Sequence, residues 1–218
     1  MFSSRKTQAG FTLIEMIVSL AIFSIIVTMT IGALLVLITS NQKLQSEQSV
    51  MANLSFALDS MTREIRTGTS YYCDDANNDT SGVNNIFRPG DDIDGIIGVN
   101  TKPCATGSNK KFRGVSFIEA GNSITEGIAP KRILYYFEES AGGTSTLKRK
   151  VGSAAGQSMV SSGLEIVSAD FIVSGEKPKS DGNNLSQPTV TIQIKAKEIG
   201  NSKLYYLQTT VTQRTLDL

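Results

Sequence analysis

From Met16 to Thr39 the chain reads MIVSLAIFSIIVTMTIGALLVLIT, and after Glu15 no charged residue appears until Lys43. A membrane-spanning helix needs about 20 apolar residues at about 1.5 Å each, so this run predicts one. A buried core helix of this length would ordinarily show a polar face, and this run has none. Beyond it the pattern becomes amphipathic: Leu44, Met51, Leu54, Leu58, Met61 and Ile65 lie at spacings of seven, three, four, three and four residues. Gln45, Gln48, Asn53, Asp59 and Arg63 fall between them, as a helix emerging into water beside a domain requires. The two patterns predict one helix from Phe11 to about Arg66, roughly 80 Å long, with Gly68 as its C-terminal punctuation. The stripe spans only about three heptads, too few to prefer a coiled coil.

Residues 68–112 break every periodicity and cluster turn residues, so they predict a loop. The period then falls to two. Candidate strands are Phe112 to Ile118, Ile133 to Glu138, Thr146 to Val151, Glu165 to Val173, Thr189 to Ala196 and Leu204 to Thr212. In the fifth, Val190, Ile192, Ile194 and Ala196 point one way and Thr191, Gln193 and Lys195 the other, the mark of a sheet with one covered face. Short connections such as EESAGGTS and EIGNSK predict antiparallel hairpins. The expected fold class is therefore α+β, a long N-terminal helix packed on an antiparallel β-sheet head. The expected segments are a leader 1–10, an apolar helix 11–39, its amphipathic half 40–67, a loop 68–112 and a sheet head 113–218.

The leader MFSSRKTQAG is short and polar, with Arg5 and Lys6 as its only charges. An ordinary secretory signal places small residues after its apolar region, whereas Gly10 stands before it. A cut at Gly10 would leave the apolar helix on the mature protein. The two basic residues would hold the leader in the cytoplasm and send the carboxyl-terminal portion outward.

Gly10-Phe11-Thr12-Leu13-Ile14-Glu15, followed by the apolar run, resembles the N-terminal motif of type IV prepilins and of the related type II secretion pseudopilins. The resemblance implies a pilin fold. It also implies cleavage after Gly10 by prepilin peptidase, N-methylation of Phe11, and Glu15 as the assembly residue that meets the charged amino terminus of a neighbouring subunit. Implied partners are other pilin subunits through the N-terminal helix, the peptidase, an inner-membrane assembly platform and membrane lipid. The implied location is the bacterial inner membrane, single-pass with the head outside the cytoplasm, and then a pilus or pseudopilus. A carboxylate inside hydrocarbon costs several kcal/mol without a partner, which gives Glu15 a physical task. An interfacial or protonated Glu15 serving topology alone is the other reading. Many pilins carry a helix-breaking proline near the position of Gly32; here glycine stands in its place, as a soft point or a site of close helix packing. More loosely, LDSMTREIR, ILYYFEE, LKRK, QPTVTIQIKAK and LQTTVTQR resemble J-type pseudopilins and PilW-like minor pilins.

Composition narrows the function. Lys and Arg total 21 against 20 Asp and Glu, a net charge of +1, so no electrostatic argument favours a nucleic-acid partner. The chain has no His and no Trp, which removes the commonest general base and metal ligand, and no nucleophile and base pair marks it as an enzyme. Its two cysteines, Cys73 and Cys104, suit one disulfide in an oxidising compartment; buried free thiols are the alternative. Between them Asp75, Asn77, Asp79 and Ser81 alternate like a calcium loop, with Asp91, Asp92 and Asp94 as further oxygen donors. Thr80 stands where an EF-hand needs glycine, so a solvated turn competes with a calcium site. Lys148, Arg149 and Lys150 read as a solvated strand edge or as a contact for phosphate or acidic surfaces. Two functions follow: a filament subunit, minor rather than major because the head is large, or a membrane-anchored module that binds through the 68–112 loop.

Overall fold

The computed structural model describes residues 10–75, 104, 111–118, 131–140, 143–175 and 187–214. One helix, α1 (Leu13–Thr67), is followed by strands β1 (Thr69–Asp75), β2 (Phe112–Ile118), β3 (Arg132–Glu138), β4 (Thr146–Val151), β5 (Gln157–Ser158), β6 (Leu164–Ser174), β7 (Thr189–Glu198) and β8 (Leu204–Thr212). The chain divides into two compact units, Met1–Ser49 and Val50–Leu218, and α1 contributes to both.

In the second unit α1 buries Val50, Leu54, Ala57, Leu58, Met61 and Ile65. These positions recur every three or four residues and form one core with Phe117, Tyr135, Phe171, Val190 and Ile192. The expected stripe needs correcting at its start. Leu44 and Met51 are exposed, because Val50, four residues before Leu54, occupies the covered face and Met51 falls to its flank.

The sheet order is β5-β4-β3-β2-β6-β7-β8, with β1 pairing β2 beside that path. All pairings are antiparallel. Two meanders result, β1 to β5 and β6 to β8, joined in register at Phe112 opposite Phe171. The expected alternation in β7 holds: Val190, Ile192, Ile194 and Ala196 are buried and the residues between them half-buried. Hairpins join β3 to β4 and β7 to β8.

Two strands escape the period-two pattern. β5 has only two residues. β1 occupies a segment that reads as loop, because Tyr71, Tyr72 and Cys73 are buried in succession instead of alternating. Its register slips between Thr69 and Tyr72, where Ser70 takes a φ of 53°. The loop reading therefore fails for Thr69–Asp75.

The last carbonyls of α1 need outside donors. Arg214 N donates to Arg66 O at 2.7 Å and Gln213 Nε2 to Gly68 O at 2.9 Å. Tyr71 Oη lies 2.6 Å from Ile65 O and 3.0 Å from Gly68 O. The end of the chain after β8 and the start of β1 thus close the helix together. Gly68 permits this turn because a Cβ there would lie 2.3 Å from Cδ2 of the Phe117 ring.

One side chain ties helix to sheet by charge. Glu64 accepts from Arg149 Nε and Nη2, each at 3.0 Å, and from Tyr135 Oη at 2.5 Å. Tyr135 and Arg149 stand directly opposite on β3 and β4, so a planar fork and a phenol converge on one carboxylate. Burial first, then the hydrogen bond and negative charge of Glu64, push the Tyr135 phenol above the ordinary tyrosine value. Burial alone would lower Arg149, but its bonds to Glu64 outweigh that and hold the guanidinium above its usual value. The basic run is accordingly no solvated edge. Lys148 pairs with Glu138, Arg149 with Glu64, Lys150 is buried, and β5 covers the outer side of β4.

Gly68→Ala drives a methyl group into a core ring and is expected to cost about 2 kcal/mol, read from denaturant unfolding of the full chain. Glu64→Ala leaves Arg149 and Tyr135 without their shared acceptor and should cost about 2 kcal/mol in the same assay. The Tyr135 contribution is complete below the unfolded tyrosine value of about 10 and is lost as pH rises above it, since the unfolded chain then releases a proton that the folded state keeps. Tyr135→Phe should make the alkaline fall in stability shallower.

Candidate functional site

The N-terminal unit is built from local rules. Gly10, Phe11 and Thr12 precede the helix, and Thr12 Oγ1 accepts from Glu15 N at 3.4 Å, the geometry of an N-cap. Met16 N donates to Thr12 O at 3.3 Å and begins the helical ladder. Glu15 thereby occupies the first turn, where the amide dipoles favour its negative charge. Its side chain is exposed, as are Phe11, Leu13, Ile14, Met16 and Ile17 around it.

From Leu13 to Ser40 every residue is exposed except Val27, which is half-buried. The large apolar side chains stand on all sides of the helix, Leu20, Phe23, Met29 and Val36 among them. By length and composition this is the one helix, among the described residues, able to cross a membrane.

The five hydroxyls within the run escaped the sequence reading, and each is satisfied inside the helix. Ser19 donates to Glu15 O at 2.6 Å, while Ser24, Thr28 and Thr30 donate at 2.8 Å to Leu20, Ser24 and Ile26 carbonyls. Thr39 reaches Val36 O at 2.9 Å. The residue types alone carry the signal, since Ser or Thr inside an apolar helix returns its hydroxyl to the preceding turn. Such bonds spare the helix unsatisfied polar groups in hydrocarbon. The helix runs unbroken through Gly32, where a Cβ would meet nothing within 4 Å.

Cys73 and Cys104 form a disulfide with Cα atoms 4.7 Å apart, and both are buried. Cys73 is held in β1 opposite Val115, so the bridge ties residue 104 to the sheet. Of the calcium candidates, Asp75 contributes backbone to β1 opposite Phe112. Asn77, Asp79, Ser81, Asp91, Asp92 and Asp94 lie outside the described residues, as do Arg5 and Lys6. Among the described residues no group of three or more His, Cys, Asp or Glu side chains is placed to hold a metal.

Residues 5–31 match the family described as the prokaryotic N-terminal methylation motif. No curated protein and no solved structure matches the chain. The matched segment contains Gly10, Phe11 and Glu15 and ends within the apolar run. With the long N-terminal helix and the antiparallel sheet after it, the motif fits the type IV pilin and pseudopilin family, whose members are structural subunits. Helix and motif together point to membrane anchoring and to assembly with other pilins.

Replacing both cysteines by serine frees a loop of 30 intervening residues and is expected to cost about 3 kcal/mol. Unfolding of the oxidised wild type and the double variant, compared without reductant, measures it.

Proposed function

We propose that this chain is the precursor of a minor subunit of a type IV pilus or a type II secretion-like filament. In this reading prepilin peptidase cuts after Gly10, Phe11 is N-methylated, and the mature protein waits in the inner membrane with its head outside the cytoplasm. The observation that carries it is the first half of α1, apolar around its whole circumference and bearing a single carboxylate at its N-terminal end, in frame with the methylation motif. Such a surface needs lipid on every side, and on leaving lipid it needs other helices of the same character.

Glu15 gives the transfer its direction. Before cleavage the nitrogen of Phe11 is an uncharged amide; after it, the nitrogen is an ammonium group. A neighbouring subunit's new amino terminus can then neutralise Glu15 where an isolated carboxylate would cost several kcal/mol. The minor position rests on the size of the head, roughly 150 residues after the helix, which crowds a tight helical lattice.

Mass spectrometry of the protein from wild-type cells should show a chain beginning at Phe11 and carrying one added methyl group, and cells lacking prepilin peptidase should keep the leader. Glu15→Ala should still be cut, yet enter sheared filaments at least about tenfold less, the factor that about 1.4 kcal/mol of lost pairing produces. Mature-length protein without the peptidase, or undiminished assembly of Glu15→Ala, would overturn the reading.

A further inference from the structure

In β6, β7 and β8 one face of the sheet carries the core, with Phe171, Ile192 and Val211 among its buried residues. The other face carries rungs of side chains set by the strand register. Ser168, Lys195 and Tyr206 stand side by side, and one step along stand Asp170, Gln193 and Gln208. With Lys111 at one end, these two rungs line a cleft of about 350 Å³, at the lower end of the range for small-ligand sites. Tyr206, on its wall, is 69% exposed.

A polar outer face is ordinary for a sheet whose inner face is covered, so the amides and hydroxyls alone assign nothing. Two features go beyond that. The first is the ring of Tyr206, laid open among hydrogen-bonding groups. The second is Lys195, half-buried on the central strand of the three, with its Nζ 5.4 Å from the Tyr206 ring centroid. The cations on either side are paired, Lys111 with Asp170 at 3.4 Å and Lys197 with Glu165 at 3.1 Å. Among the described residues no carboxylate pairs with Lys195. Between these features Gln193 Nε2 donates to Gln208 Oε1 at 3.1 Å, which fixes both amides and leaves Gln193 Oε1 and Gln208 Nε2 for another partner.

We infer that this cleft binds a saccharide bearing a carboxylate, a uronic acid unit within a glycan. The C–H face of one ring lies on Tyr206, and its carboxylate pairs with Lys195 beside that ring. Hydroxyls of the adjoining ring reach Gln193, Gln208 and Asp170, whose amides and carboxylate supply both donors and acceptors. Tyr206 and Asp170 stand two strands and one same-face step apart, about 12 Å at a strand spacing of about 4.8 Å and about 3.4 Å per residue. That span holds two linked sugar rings. Other ligands suit the cleft less well. A peptide strand seeks backbone partners, which the face of a sheet does not offer. A nucleic acid would set its row of phosphates against Asp170 as well as Lys195. The strands hold these side chains in fixed register, so little ordering is lost on binding.

Calorimetric titration of the full chain in detergent, at constant ionic strength, tests the assignment. Cellobiuronic acid and digalacturonic acid are compared with their neutral counterparts, cellobiose and galabiose. At least one acid should bind about tenfold more tightly than its neutral counterpart. Lys195→Gln should remove that preference. Tyr206→Ala should weaken the acid about tenfold or more, while Tyr206→Phe, which keeps the ring, should retain it. Thr210→Ala, on the same face beyond the cleft, should bind as wild type. Melting temperatures equal to wild type separate a lost ligand from a lost fold. No binding of either acid, equal affinity for acid and neutral sugar, binding matched by acetate alone, tighter binding of uridine monophosphate, or undiminished binding by Tyr206→Ala would each overturn the inference.

Discussion

A single helix that changes character along its length is the constraint from which the rest follows. Through Ser40 its surface is apolar on every side, and from Val50 onward a single apolar stripe is buried, with Met51 and Phe56 left exposed outside it. No single environment satisfies both parts: the first needs apolar neighbours all round, the second a cover on one side and water on the other. The sheet exists to supply that cover. Its buried positions in β2, β3, β6 and β7 form one core with the stripe, and no other helix is present among the described residues to take their place.

Once the stripe is covered, polar groups at the seam must be satisfied, and the fold does so with residues distant in sequence. Glu64 takes donors from β3 and β4, while the carbonyls that end α1 take theirs from β1 and from the residues after β8. The first and last strands of the head are thereby fastened to the same helix end. Buried Arg132 follows the same rule, donating to Ser116 Oγ and to Ser70 O and so holding β3, β2 and β1 together beside the strained turn at Ser70. Among the described residues, Lys148 and Arg149 of β4 are likewise held by carboxylates of the head itself, Glu138 and Glu64. The lipid-compatible half obeys a parallel rule at shorter range, since its serines and threonines are satisfied by carbonyls one turn away.

The sequence by itself determined whatever depends on neighbours in the chain. The apolar run, the helix through Thr67, six of the eight strands and the antiparallel hairpins follow from periods of 3.6 and 2, because those periods state directly which side chains share a face. The motif at Gly10, Phe11 and Glu15 was legible for a related reason, since its features occupy consecutive residues. What escaped was what only a partner across the fold defines. β1 reads as loop until β2 lies beside it, Met51 gives way to Val50 only when the sheet selects the covered face, and the cations of β4 look free until Glu64 and Glu138 are brought to them. The joining of Cys73 to Cys104, one outcome of two open to the residues alone, was likewise decided in three dimensions. Pairing across the fold is a property of the assembled sheet, and no window of sequence contains both partners.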